Sequence, residues 1–122
     1  MMNYRLLGRS GLRVSELCLG TMTFGEEWGW GASGDESRKI WDRFAEAGGN
    51  FIDTANGYTG GTSERRVGEF AAVDRERFVI ATKYSFNNKP GDPNAGGNHR
   101  KHLMEALHGS LRRLQMDYVD LL

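Results

Sequence analysis

The chain has 122 residues, enough for one small domain with a modest core. Lys plus Arg number 16 and Asp plus Glu 16, a zero formal charge that excludes the cationic excess nucleic-acid or membrane-surface binding needs. No apolar run approaches the ~20 residues that cross a bilayer, and the N-terminus MMNYRLLGRS lacks a signal-peptide h-region. The single cysteine, Cys18, cannot form an internal disulfide; it lies in the apolar run Leu17-Cys18-Leu19 and is expected to be a buried thiol in a reducing cytoplasm.

Residues 4–14 alternate apolar and polar about Gly8-Arg9-Ser10-Gly11, as in a β-hairpin. Residues 17–20 read as a short buried strand, followed by the loop TMTFGEEWGWGASG with its two tryptophans. Ser33-Gly34-Asp35-Glu36 fits a capping box. The helix it opens places Ile40, Trp41, Phe44 and Ala45 on one face and stops at Gly48-Gly49. A strand over 50–53 leads through a Gly-rich loop to a helix from Thr62 or Ser63, with Val67, Phe70 and Ala71 inward. Residues 77–83 form a third strand, and 84–98 a long polar loop. The next helix sets Leu103, Leu107, Leu111 and Leu114 four, four and three apart, and residues 118–122 start a fourth strand. Repeated βα units with short apolar strands over residues 1–122 predict an α/β fold with four parallel strands covered by helices.

In such architectures reactive groups gather beyond the carboxyl ends of the strands. Those ends carry Gly20-Thr21-Met22, Asp53 and Lys83, and Tyr58 sits in the loop leaving the second strand. An ammonium beside a phenol stabilises the phenolate, and an aspartate beside the ammonium keeps it charged, so the three together make a proton donor. Each residue also has an ordinary structural use: Asp caps turns, strand-terminal Lys is solvated, and loop Tyr packs on its neighbours. The run Gly29-Trp30-Gly31-Ala32-Ser33-Gly34 matches the dinucleotide fingerprint G-x-G-x-x-G. Its first glycine comes nine residues too late after the strand, Glu26 and Glu27 oppose a pyrophosphate, and Trp30 fills the turn. It is therefore set aside.

At these residues the sequence resembles the aldo-keto reductase family along essentially its whole length. YRLLGRSGLRVSELCLGTMTFG is similar to the family's N-terminal hairpin and first strand, and AGGNFIDTANGY to its A-G-x-x-F-x-D-T-A-x-x-Y signature. FVIATKY resembles the strand bearing the catalytic lysine, and DYVDLL the strand before the catalytic histidine. GTMTFG and the long loops are closer to the bacterial aryl-alcohol-dehydrogenase-like branch. The resemblance implies the N-terminal half of a (β/α)8 TIM barrel that reduces aldehydes or ketones with NADPH. It implies Tyr58 as general acid, Lys83 as the residue that lowers its pKa, and Asp53 as the partner of Lys83. Gly20, Thr21, Met22 and Asp53 would lie near the nicotinamide, and Trp28 and Trp30 would wall the substrate pocket.

The family's catalytic histidine follows its fourth strand, beyond Leu122. None of His99, His102 and His108 substitutes for it, and His99-x-x-His102 has no further ligand with which to hold a metal. A barrel of this kind takes about 250 residues, so the outer strands are expected to present unpaired, apolar edges open to self-association. A non-catalytic half-barrel acting by binding or assembly stands as the alternative to an enzyme whose remainder lies elsewhere.

Overall fold

A computed structural model describes residues 1–122. Two short strands, β1 (Tyr4–Leu6) and β2 (Arg13–Ser15), pair antiparallel with Tyr4 opposite Ser15. Then follow β3 (Cys18–Gly20), α1 (Gly34–Glu46), β4 (Phe51–Asp53), α2 (Thr62–Ala71), β5 (Val79–Ala81) and α3 (Arg100–Leu114). The strands β3, β4 and β5 form a parallel sheet in chain order, in register as Gly20–Asp53–Ala81 at their carboxyl ends. Two helices cover its outer face, and α3 packs beside α2.

The expected four-stranded sheet is a three-stranded one. The segment assigned to the fourth strand is reduced to a single parallel bridge between Ala81 and Leu121. Just before the bridge, the Asp120 carboxylate takes the ladder position of a backbone carbonyl and accepts from Ile80 N at 2.8 Å. Arg75 secures that carboxylate by an ion pair at 2.8 Å and lies over the Tyr118 ring, 4.1 Å from its centroid. With a side chain standing in the ladder at Asp120, the main-chain pairing begins at Leu121.

Strand alternation decides what is buried. Leu19, Ile52 and Ile80 share a register row and pack toward the helices with Phe24, Trp41, Val67, Phe70, Ala71, Phe78 and Leu114. Aromatic pairs anchor this core: Trp41 lies 4.7 Å from Phe78 and 5.8 Å from Phe70, centroid to centroid. Cys18, expected to be buried, occupies the opposite row with Phe51 and is exposed. Desolvation by its surroundings, with the Asp53 charge adding to it, still pushes the thiol up to about 11.

The helices differ in detail from their sequence patterns. The capping box at Ser33 and Glu36 forms with both reciprocal bonds. Trp41 of α1 is buried and Phe44 and Ala45 flank the core, but Ile40 is exposed, because the contact stripe runs along the other side of Trp41. In α3 the buried residues are His102, Ala106, Gly109, Ser110 and Leu114, while Leu103, Leu107 and Leu111 are only partly covered. Small residues on that face let α3 approach α2 closely. A Cβ at Gly68 of α2 would lie 2.1 Å from the carbonyl oxygen of Leu114.

The Gly-rich loop after β3 folds onto itself. A Cβ at Gly31, whose φ is +129°, would lie 2.0 Å from the Gly25 carbonyl oxygen. The glycines of the apparent dinucleotide fingerprint thus serve local packing and the start of α1.

Candidate active site

Asp53 is the last residue of β4, and Lys83 lies two residues beyond β5 on the neighbouring strand. Parallel register brings them together: Lys83 Nζ donates to Asp53 Oδ1 at 2.6 Å and to the Thr54 carbonyl at 2.9 Å. The ammonium also lies 4.9 Å from the centroid of the Tyr58 ring. Partial desolvation works against the charge on Lys83, but the Asp53 hydrogen bond and charge, together with the Tyr58 phenol, outweigh it and raise the lysine pKa above its ordinary value. Both members of the pair remain open to solvent, with side-chain exposures of 42% for Lys83 and 36% for Asp53.

The loop carrying Tyr58 extends the sheet before it turns. Thr54 N donates to Ala81 O at 2.9 Å, and Asn56 N to Lys83 O at 3.2 Å. The Asn56 amide then donates to Tyr84 O and to Asn88 Oδ1, tying this loop to the long polar loop over 84–98. Immediately after Tyr58 the chain turns through Thr59 at φ +47° and ψ +44°, a left-handed conformation uncommon for a β-branched residue. Thr59 is fully buried, and its hydroxyl accepts from Ser63 N at 3.2 Å, which holds the strained turn in place.

Beneath the trio lies a buried polar layer. The hydroxyls of Thr21 and Thr54 each meet Ser63 Oγ at 2.8 Å, and Thr21 Oγ1 lies 2.8 Å from the Asp53 carbonyl. The next residue in α2, Glu64, has no exposed surface. Its carboxylate accepts from Thr82 Oγ1 at 2.6 Å and from Arg113 Nε at 2.6 Å. Sequence reasoning passed over Glu64, Ser63 and Thr82. A signal was present, since Glu64 stands at i, i+3, i+4 and i+7 with Val67, Gly68 and Ala71, a carboxylate on an apolar stripe.

The structure brings Asp53, Tyr58 and Lys83 together at one edge, with Gly20 and Met22 exposed beside them. Thr21 is wholly buried and its hydroxyl is committed to the layer below. Trp28 and Trp30 are exposed and pack on one another with centroids 5.7 Å apart. Their loop is fastened to the start of α2 by a hydrogen bond from Thr62 to Glu27. His99 caps α3, and His102 is buried against the Phe86 carbonyl at 3.1 Å. No group of three His, Cys, Asp or Glu side chains is arranged to hold a metal ion.

The sequence profile of the aldo/keto reductase family matches residues 16–122. The chain belongs to the aldo/keto reductase family. Among relatives of this aldo/keto reductase chain, a norsolorinic acid reductase of Aspergillus flavus is 47% identical over 98% of this chain and 34% of its own length. An aryl-alcohol dehydrogenase of Pestalotiopsis microspora is 44% identical, again over 98% of this chain and 34% of its own. The solved aldo-keto reductase AKR11C1 from Bacillus halodurans superposes with a TM-score of 0.83 at 35% identity, covering 98% of this chain and 38% of that one. The chain thus spans about a third of the length of these curated relatives. The fold is α/β and matches barrel-forming aldo-keto reductases.

Proposed function

We propose that this chain carries the proton-donating part of an NADPH-dependent reductase that converts aldehydes or ketones to alcohols. The observation that carries the reading is the Asp53–Lys83 ion pair at 2.6 Å beside the Tyr58 ring. A carbonyl oxygen gains negative charge as its carbon is reduced, and a phenol next to a fixed ammonium is suited to protonate it. Tyr58 is the general acid in this reading, Lys83 the electrostatic support, and Asp53 the group that keeps Lys83 charged. The bound NADPH would supply hydride.

The residues at the carboxyl ends of β3 and β4 fit that cofactor's nicotinamide end in one respect. Gly20 is open, and a side-chain carbon there would meet nothing within 4 Å, leaving room for a flat ring next to Asp53. Thr21 would contribute its main chain alone, since its hydroxyl is engaged below. Met22, at 42% exposure, and the exposed Trp28 and Trp30 offer apolar surface to an aromatic carbonyl substrate, consistent with an aryl-alcohol dehydrogenase among the relatives.

The test uses the full-length enzyme: NADPH oxidation followed by absorbance with a panel of aromatic aldehydes, parent against Tyr58→Phe. Turnover in the parent and a loss of at least a hundredfold in kcat for the variant are expected, the scale of a removed general acid. An inert parent, or a Tyr58→Phe variant with parental kcat, refutes the reading.

A further inference from the structure

The geometry points to Glu64 and Thr82 as positioning residues that set Lys83 beneath Tyr58, a role the catalytic trio leaves unassigned. The inference deepens the function proposed above and rests on that reading for its catalytic consequence only. Glu64 is a charged side chain with no exposed surface, on the helix behind the sheet. A buried carboxylate is costly unless paired and hydrogen-bonded, and here both oxygens are engaged. One accepts from Arg113 of α3, and the other from Thr82, the residue before Lys83.

The connection to the site is short on both sides. Thr82 N donates to Leu121 O at 3.1 Å, so a main-chain bond within the sheet and a side-chain bond to the helix behind it both hold this residue. With Thr82 fixed, the backbone of Lys83 departs from β5 in one direction. Its ammonium is then received by Asp53 Oδ1 and by the Thr54 carbonyl. Thr54 is itself held by Ser63, the neighbour of Glu64 in α2. One helical turn therefore fixes both the root of the lysine and one of the two acceptors at its tip. Arg113, only 23% exposed, closes the far side of the carboxylate and leaves it no competing water-facing orientation.

Beyond the end of β5 at Ala81, the hydroxyl–carboxylate bond of Thr82 adds to the main-chain bonds from Thr82 N to Leu121 O and from Asn56 N to Lys83 O.

Two readouts on the full-length enzyme test the assignment. The first is independent of turnover: the 15N ammonium resonance of Lys83, identified by its loss in Lys83→Arg. It should be visible in the parent and in Thr82→Ser, which keeps the hydroxyl, and broadened or shifted in Thr82→Val and Thr82→Ala. The second is kinetic. Thr82→Val and Thr82→Ala should lose about tenfold in kcat, a displacement of the kind that costs rate without contact to substrate. KM for the aldehyde should stay within twofold, and Thr82→Ser should restore kcat.

An unchanged ammonium resonance in both Val and Ala variants overturns the inference, as does parental kcat in both. Failure of Thr82→Ser to restore either readout overturns it too. A parent that turns over no carbonyl sinks the function proposed above, while the resonance still decides whether Thr82 positions Lys83.

Discussion

Replacing Gly68 by alanine separates helix propensity from helix packing, because the two predict opposite signs. In an exposed helix interior the change stabilises by about 1 kcal/mol. At this position the new methyl would meet Leu114 at 2.1 Å from its carbonyl oxygen, 2.6 Å from its carbonyl carbon and 2.8 Å from its Cα. All three are backbone atoms, so no rotamer change relieves the clash, and α3 must retreat by about 1 Å to reach ordinary contact distance. Leu114 is fully buried at that contact, and the Glu64–Arg113 bond spans the same helix pair. Overpacking of this kind costs about 1–3 kcal/mol. With backbone on the receiving side the upper end applies, which leaves a net loss of about 2 kcal/mol once the propensity gain is subtracted. Urea unfolding of the full-length enzyme measures it, with Gly109→Ala as the matched control. In that control the methyl would lie 3.2 Å from a nitrogen of the Arg113 guanidinium, which needs to give by only a few tenths of an ångström and can do so without leaving Glu64. Gly68→Ala should lower the midpoint and Gly109→Ala should leave it near the parent. A Gly68→Ala protein as stable as the parent would show that the α2–α3 approach is looser than described.

The Asp53–Lys83 pair gives a pH-dependent prediction. The folded lysine pKa lies above its ordinary 10.5, so the pair's stabilisation is complete below that value and disappears as pH rises through the folded pKa. The stability gap between parent and Asp53→Asn should be at most about 1 kcal/mol at neutral pH, given the exposure of the pair, and should close in strong alkali; a gap that widens there contradicts the ion pair. Cys18, with its pKa pushed up to about 11 from 9.0, should react with iodoacetamide at pH 8 roughly a hundredfold more slowly than an ordinary thiol, since the thiolate is the nucleophile. Alkylation of this chain at an ordinary rate would show that the thiol is better solvated. Asp120→Ala leaves Ile80 N without its acceptor, and the protein should lose about 1–3 kcal/mol, measured by chemical denaturation; Asp120→Asn, which keeps an acceptor, should lose less.

What the sequence revealed of the site depended on ordering. Asp53, Tyr58 and Lys83 could be grouped because strand ends in a parallel sheet converge, and the resemblance to the family signature favoured the catalytic reading over the structural ones. The capping box at Ser33 was legible because its two bonds are local. The supporting layer was not, because the partners of Glu64 are 18 and 49 residues away and only three-dimensional packing of α2 against β5 and α3 unites them. Cys18 was misplaced for a related reason: the leucines flanking it do not reveal which face the first residue of a three-residue strand takes. Of the four leucines of α3 only Leu114 is buried; Leu103, Leu107 and Leu111 showed correct helical spacing but lie off the contact stripe, since close helix approach selected Ala106, Gly109 and Ser110 over bulkier neighbours. The fourth strand starts at Leu121 rather than near Tyr118, because β-propensity says nothing of a side chain entering the ladder at Asp120.

That intruding carboxylate has a consequence for alignment. Parallel strands can slide by two residues without exchanging their inner and outer faces, so hydrophobic patterning alone would tolerate several positions for the segment ending at Leu122. The bond from Ile80 N to Asp120 can be made at one of them only. Asp120 therefore acts as a ratchet tooth: it spends one strand residue's worth of pairing to forbid every offset but the one that sets Leu121 against Ala81, and so holds the clamp on Thr82 at a fixed height above the sheet.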